Sequence, residues 1–318
     1  MSEKKRMLRV GTRGSALAMR QTEMICAAMT GRLPHLRFEI VKIVTHGDRF
    51  QQKPIAEMGA EVEKGIFNTA LEDAVLEGRV DFSTCSFKDV QSELRPGLQA
   101  VPVCPREDHR DVLVSRHRVP LAGLPEGAVL ATSSPRRVSQ LKAFRPDFRF
   151  VPLRGNVTTR VETEAARHDG VILAAAGLIR LGLEAHIRET IGETVLLPAP
   201  AQGAMGCEFL AGNVQAAEAV AAIQHPDTQL CVSLEKALLV RLSGGCFAPI
   251  GALAQIEHGA LRLRCRIASL DGTRVAAAEE TGAPEAADAL LERVLENLSR
   301  QGALEIVREA RDALLPEG

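Results

Sequence analysis

The side chains with a capacity for chemistry fall into three sets. The first is a series of arginines beside small polar residues: Arg13-Gly14-Ser15, Thr132-Ser133-Ser134-Pro135-Arg136-Arg137, Arg154-Gly155-Asn156 and Arg180. Guanidinium forks match carboxylates and phosphates, so this set calls for a polyanionic ligand. The second is Ser86-Phe87-Lys88-Asp89, in which Asp89 is either a charge partner for a neighbouring cation or an ionised carboxylate placed to stabilise a cationic intermediate. The third is Ser243-Gly244-Gly245-Cys246, where two glycines allow a turn that exposes a thiol. A single cysteine is more often a small buried hydrophobe, and Cys26 and Cys231, on helical faces, fit that description.

The elements that must hold these residues follow from periodicity. Leu8–Thr12, Phe38–Val44 and Asp81–Cys85 have strand character, alternating with helical stretches over 15–30 and 67–77. The pattern restarts with strands at Val112–Ser115, Val129–Thr132, Arg149–Leu153 and Val171–Ala175, and with a helix starting at Pro135 and helices over 157–167 and 176–183. Ser134 is placed to cap a helix whose first residue is Pro135. This alternation predicts parallel βαβ units in two α/β domains. Every polar cluster then follows the carboxyl end of a strand, where open α/β sheets bind ligands, and one cleft between the two domains is expected. The last third differs: a long helix over 227–242, three strands in meander order and a closing helical pair predict a small α+β domain.

Bulk properties narrow the class. The 318 residues are 46% hydrophobic and 25% charged, with net charge −1, which suits a globular protein of two or three domains and argues against a nucleic-acid surface. Of the 39 basic residues only eight are lysine, an excess of arginine that codon bias also produces. Seven cysteines form no CxxC pair, so a reducing compartment is expected. The start MSEKKRMLRVGTR lacks an apolar run of signal-peptide length and no stretch reaches membrane-span length, so a cytoplasmic protein without membrane association is expected. The histidines lack metal-ligand spacing, and no P-loop, GxSxG or HExxH is present, so no metal is expected.

Taken in order, GTRGSALA (11–18), KDV (88–90), TSSPRR (132–137), LRGNVTTR (153–160), AAAGLIRLGL (174–183), QGAMG (202–206) and SGGCFAPIG (243–251) resemble the porphobilinogen deaminase (hydroxymethylbilane synthase) family along nearly the whole chain. The resemblance implies two hinged α/β domains like type II periplasmic binding proteins, 1–104 with 202–222 and 105–201, and a C-terminal α+β domain, 223–318. It implies a dipyrromethane cofactor joined by a thioether to Cys246, onto which four molecules of porphobilinogen are condensed with loss of ammonia before hydroxymethylbilane is released, in haem biosynthesis. It assigns catalysis to Asp89 and Lys88. Cofactor binding would fall to Cys246, Arg13, Ser86, Lys88, Asp89, Thr132, Ser133, Arg136, Arg137, Arg154 and Gly155. Substrate binding would fall to Arg13, Ser15, Lys64, Arg154, Asn156, Arg160, Arg180 and Gln202, in a monomer. The chain departs from the family pattern at His46, Glu57, the AEVE stretch 60–63, Cys85, Gln91 and Phe247. The alternatives are a divergent paralogue, a hinge-type solute-binding protein for polycarboxylate anions, and a phosphoryl or acyl transferase using the arginines as an oxyanion clamp. The binding-protein reading leaves the third domain and the Gly-Gly-Cys stretch without a role. The transferase reading lacks a phosphate cradle and an activated nucleophile.

Overall fold

A computed structural model describes residues 6–45, 69–91, 93–242 and 248–314. Cys246 and Lys64, together with His46, Glu57, the 60–63 stretch and Phe247, lie outside the described residues. The chain forms two compact units, 1–107 with 204–230 and 108–203 with 231–318.

In the first unit, β1 (Arg6–Arg13), α1 (Ala16–Arg32) and β2 (Leu36–Ile43) form the opening βαβ step, and β1 and β2 pair in parallel. Helix α2 (Thr69–Leu76) leads to β3 (Phe82–Ser86), and β4 (Leu98–Val103) follows. A strand from later in the chain, β10 (Met205–Leu210), enters between β3 and β4 and runs antiparallel to both. The strand order is β2-β1-β3-β10-β4. The expected parallel sheet is therefore mixed. Two of its four strand pairings are antiparallel, both made by β10, and local periodicity does not encode them because β10 lies more than 100 residues from its partners. Its core packs Leu8, Val10, Ile25, Met29, Phe82, Cys207, Phe209 and Val220, with Phe38 edge-on to Phe82 at 6.3 Å between centroids. Each such buried side chain contributes about 1.5–3 kcal/mol relative to exposure.

The second unit repeats the arrangement. Its strands are β5 (Asp111–Val114), β6 (Val129–Ala131), β7 (Arg149–Val151), β8 (Gly170–Ala174) and β9 (Glu189–Thr190). Their order is β7-β6-β8-β5-β9, with β6 parallel to β7 and β8, and β5 antiparallel to β8 and β9. Both sheets thus share one pattern, three parallel strands followed by a strand antiparallel to both of its neighbours. The sheet is buried on both faces: Val112, Val114, Val171 and Leu173 face one cluster, while Leu113, Leu130 and Ile172 face another with Leu141 and Phe148. That explains the continuous apolar runs of its strands.

Helices α3 (Pro135–Phe144) and α4 (Ala175–Leu181) start where β6 and β8 end. The helix expected over 157–167 is broken, with a π turn at Arg160–Glu164 between single α-helical turns. In the first unit α5 (Val214–Ala221) follows β10. A further helix, α6 (Pro226–Arg241), begins in the first unit and continues into the second.

The C-terminal part of the second unit is the expected antiparallel meander, β11 (Ile250–Glu257), β12 (Ala260–Ala268) and β13 (Val275–Gly282). Helices α7 (Ala287–Arg300) and α8 (Ala303–Leu314) cover it, burying Leu290, Leu291, Val294 and Leu298, and Ala303, Ile306, Val307 and Ala310. This spacing places each set on one helical face. The meander meets the α/β part closely. Arg266 donates to Thr194 O at 2.7 Å, and a Cβ on Gly251 would lie 2.7 Å from Leu197 O.

Candidate functional site

In the first unit, the neighbouring parallel strands β1 and β3 end at the same sheet edge and deliver Arg13 and Ser86 there. Three buried hydroxyls brace that edge: Thr22 of α1 lies 2.7 Å from Thr12 of β1 and 2.7 Å from Thr84 of β3. Gln21, 3% exposed, donates through Nε2 to Ser86 Oγ at 3.0 Å. Ser15 caps α1, its Oγ accepting from Ala18 N at 3.3 Å.

Beyond β3 a single 3₁₀ turn, Phe87–Asp89, presents Lys88 and Asp89. The turn is fixed from beneath. Phe87 is buried, its amide donates to Ala204 O at 3.0 Å, and its ring lies so near Gly206 that a Cβ there would come within 2.2 Å. Only glycine fits, which gives a packing reason for the second glycine of QGAMG. Asp89 itself is exposed and makes no hydrogen bond or ion pair among the described residues. Its carboxylate is not spent on a neighbouring cation.

In the second unit, the adjacent strands β7, β6 and β8 end at one edge, and β7 and β6 are followed there by Arg154 and by Thr132 to Arg137, whereas Arg180 lies in the last turn of α4. Ser133 ties two of these ends together: its Oγ donates to Leu153 O at 3.0 Å and accepts from Leu153 N at 2.9 Å. Ser134 is the N-cap residue of α3, but its side chain makes no capping bond, contrary to expectation. Instead the buried Thr132 Oγ1 accepts from Ser134 N at 3.2 Å.

Arg136 and Arg137, adjacent at the start of α3, are 4% and 7% exposed, and both turn to the fully buried Asp111 at the head of β5. Arg136 reaches Oδ2 at 2.7 Å through Nη1. Arg137 reaches Oδ1 at 2.9 Å through Nε and at 2.6 Å through Nη2. Burial alone would raise the Asp111 pKa; the two guanidinium groups overcome that and hold it well below the carboxylate range. Gln202 also donates to Asp111 Oδ1, at 3.2 Å, and to His109 O at 2.8 Å. The anion over this helix start, inferred from sequence to be a ligand, is in this structure a side chain of the protein.

Arg154 is different. It is half-buried, its Nη2 is a buried donor with no acceptor among the described residues, and burial pulls its pKa down from the usual guanidinium value. The loop after it is closed on itself. Gly155 has φ +94°, Asn156 Oδ1 accepts from Thr159 N at 2.9 Å, and Arg160 Nε donates to Gly155 O at 2.8 Å. Arg180 is buried and donates to Gly203 O at 2.6 Å.

Asp111 and Gln21 were missed by the sequence reading. Asp111 opens the apolar run DVLV, and a carboxylate at the head of a buried strand needs a cationic partner. That is a usable signal. Gln21 had none, being one polar residue on a helix.

The chain thus has two sheets of one topology, each with basic and hydroxyl side chains at its carboxyl edge, and a C-terminal antiparallel meander covered by two helices. The model of the "porphobilinogen deaminase, dipyromethane cofactor binding domain" matches residues 8–218, and that of the "porphobilinogen deaminase, C-terminal domain" matches 229–300. The porphobilinogen deaminase of Syntrophomonas wolfei is 39% identical over 308 residues, covering 96% of this chain and 99% of its own. The chain belongs to the porphobilinogen deaminase family, and it is a transferase, with the hydroxymethylbilane synthase activity of tetrapyrrole biosynthesis. Solved structures similar to it include a nutrient binding protein from Burkholderia cenocepacia bound to methionine, with TM-score 0.42, 11% identity, and coverage of 70% of this chain and 93% of that one. Another is the VFT2 domain of Bordetella pertussis BvgS, with TM-score 0.41, 12% identity, and coverage of 68% and 85%. No helix among the described residues is long and apolar enough to cross a membrane.

Proposed function

We propose that the chain holds its dipyrromethane through a thioether to Cys246 and binds the carboxylates of the growing pyrrole chain with the arginines at the strand ends. The observation that carries this reading is Arg154, whose buried Nη2 lacks an acceptor among the described residues. Leaving a cationic donor desolvated and unpaired is costly, and a ligand carboxylate removes that cost. Every porphobilinogen brings an acetate and a propionate, so each addition increases the demand for such donors.

The group fits the residues present: basic donors and hydroxyls stand at the strand ends, and the Asp89 carboxylate is open. When bound, the dipyrromethane supplies a nucleophilic pyrrole α-carbon. Arg13, Ser86, Lys88, Thr132, Ser133, Arg136, Arg137, Arg154 and Gly155 would hold it. Ser15, Lys64, Asn156, Arg160, Arg180 and Gln202, with Arg13 and Arg154, would serve the incoming substrate. Asp89 accepts hydrogen bonds from pyrrole N–H groups and stabilises the positive charge that develops as porphobilinogen loses ammonia. Lys88 assists Asp89 in catalysis. Cys246 anchors and takes no part in bond formation.

The division into domains 1–104 with 202–222, 105–201 and 223–318 is part of the same reading, as is a monomeric, cytoplasmic enzyme. Six free cysteines among the described residues support a reducing compartment.

Intact-protein mass measurement tests the proposal. The expected result is an addition equal to two porphobilinogens less two ammonias, localised to Cys246, together with turnover of porphobilinogen. A folded chain without the addition and without turnover would sink it.

A further inference from the structure

Asp111 is the first residue of β5, and both of its oxygens are engaged by arginine forks. Besides the contacts given above, Arg136 Nη2 reaches Oδ1 at 3.3 Å. Other donors of the pair are taken by the backbone: Arg136 Nη1 by Leu197 O at 2.8 Å and Arg137 Nη1 by Ile172 O at 2.8 Å. Each guanidinium is thus fixed by a carboxylate and a carbonyl. Arg136 Nε stays buried with no partner.

Two buried guanidinium groups against one carboxylate leave one positive charge. Without that carboxylate, two adjacent arginines at a helix N-terminus would repel one another and the end of the dipole, and each long side chain would be free to leave. We propose that Asp111 is a positioning residue for Arg136 and Arg137, setting their orientation and limiting them to a single net positive charge for a ligand carboxylate. This rests on the reading that the two arginines bind the pyrrole chain.

Asp111 does not reach the reacting atoms. Its loss therefore weakens bound cofactor and substrate without altering the chemical step, which is a KM effect rather than a kcat effect.

The test uses the full chain and porphobilinogen. Asp111→Asn is expected to raise KM about tenfold, to leave kcat within about threefold, and to lower the fraction of chains carrying the covalent addition. Because removing the charge from this site can prevent folding, Arg137→Gln and the double variant Asp111→Asn/Arg137→Gln complete a cycle, the double variant having the same single net positive charge as the wild type. With Arg137 gone only Arg136 is left for Asp111 to position, so Asp111→Asn is expected to raise KM less in the Arg137→Gln background than in the wild type. A folded Asp111→Asn with wild-type KM and loading would overturn the inference, and so would strictly additive effects of Asp111→Asn and Arg137→Gln on KM. A wild-type chain with neither the addition nor turnover overturns the functional reading and takes the inference with it. An active wild type beside an indifferent Asp111→Asn overturns the inference alone.

Discussion

Asp111 and Arg137 meet at 2.6 Å inside the second unit, although 26 residues separate them in sequence. Removing the carboxylate leaves two guanidinium groups buried without a counter-charge. Asp111→Ala is expected to lose about 3–5 kcal/mol of stability, measured by urea unfolding. The folded pKa lies below the unfolded value, so the contribution is complete above about pH 3.9 and is lost only as pH falls through the folded value.

Glu193 supplies a second pH signal. It shares a hydrogen bond with His109 at 2.5 Å and pairs with Arg264 of β12. The His109 hydrogen bond, then Arg264, hold its pKa at about 2 against burial, compared with 4.5 ordinarily. Its contribution is present above pH 4.5 and fades as pH falls toward 2. Glu193→Gln should cost about 1.5–3 kcal/mol at neutral pH and flatten the stability profile between pH 5 and 3. Chemical denaturation at stepped pH measures both; a wild-type slope in the variant would count against the pairing.

Arg154 should behave in the opposite sense to Asp111. Its buried Nη2 has no acceptor among the described residues, so Arg154→Met is expected to keep or gain stability without ligand while KM rises at least about tenfold. Thermal melts of chains lacking the covalent addition, set beside steady-state kinetics, distinguish this from a structural defect.

Gly206 limits the turn that carries Asp89. A methyl group there meets the Phe87 ring at 2.2 Å, so Gly206→Ala must displace that ring and Lys88-Asp89 above it. The expected outcome is a loss of about 1–3 kcal/mol and a fall in kcat, read by unfolding and initial rates.

Asp89, exposed and unpaired among the described residues, supports nothing structural. Asp89→Asn should stay within about 0.5 kcal/mol of wild-type stability, yet reduce turnover at least about a hundredfold. Wild-type rates in a folded variant would remove its assigned role.

The sequence by itself determined which elements form and where polar side chains collect. Leu8–Thr12 and Asp81–Cys85 have local strand patterns, and Arg13, Lys88, Asp89, Thr132 and Arg154 follow strand ends whatever lies opposite them. The motif order also identified the family. Tertiary structure decided the pairings. It inserted β10 between β3 and β4, left the expected Ser134 side-chain cap unmade, and brought Asp111 under Arg136 and Arg137. Periodicity reports which face of an element is apolar; it carries no information about the distant residue that meets it. The charge state of the arginine edge depends on such a meeting. Arg136, Arg137 and Arg154 are alike in sequence, and only the fold supplies the first two with a carboxylate and leaves the third with a buried donor that no described residue accepts from.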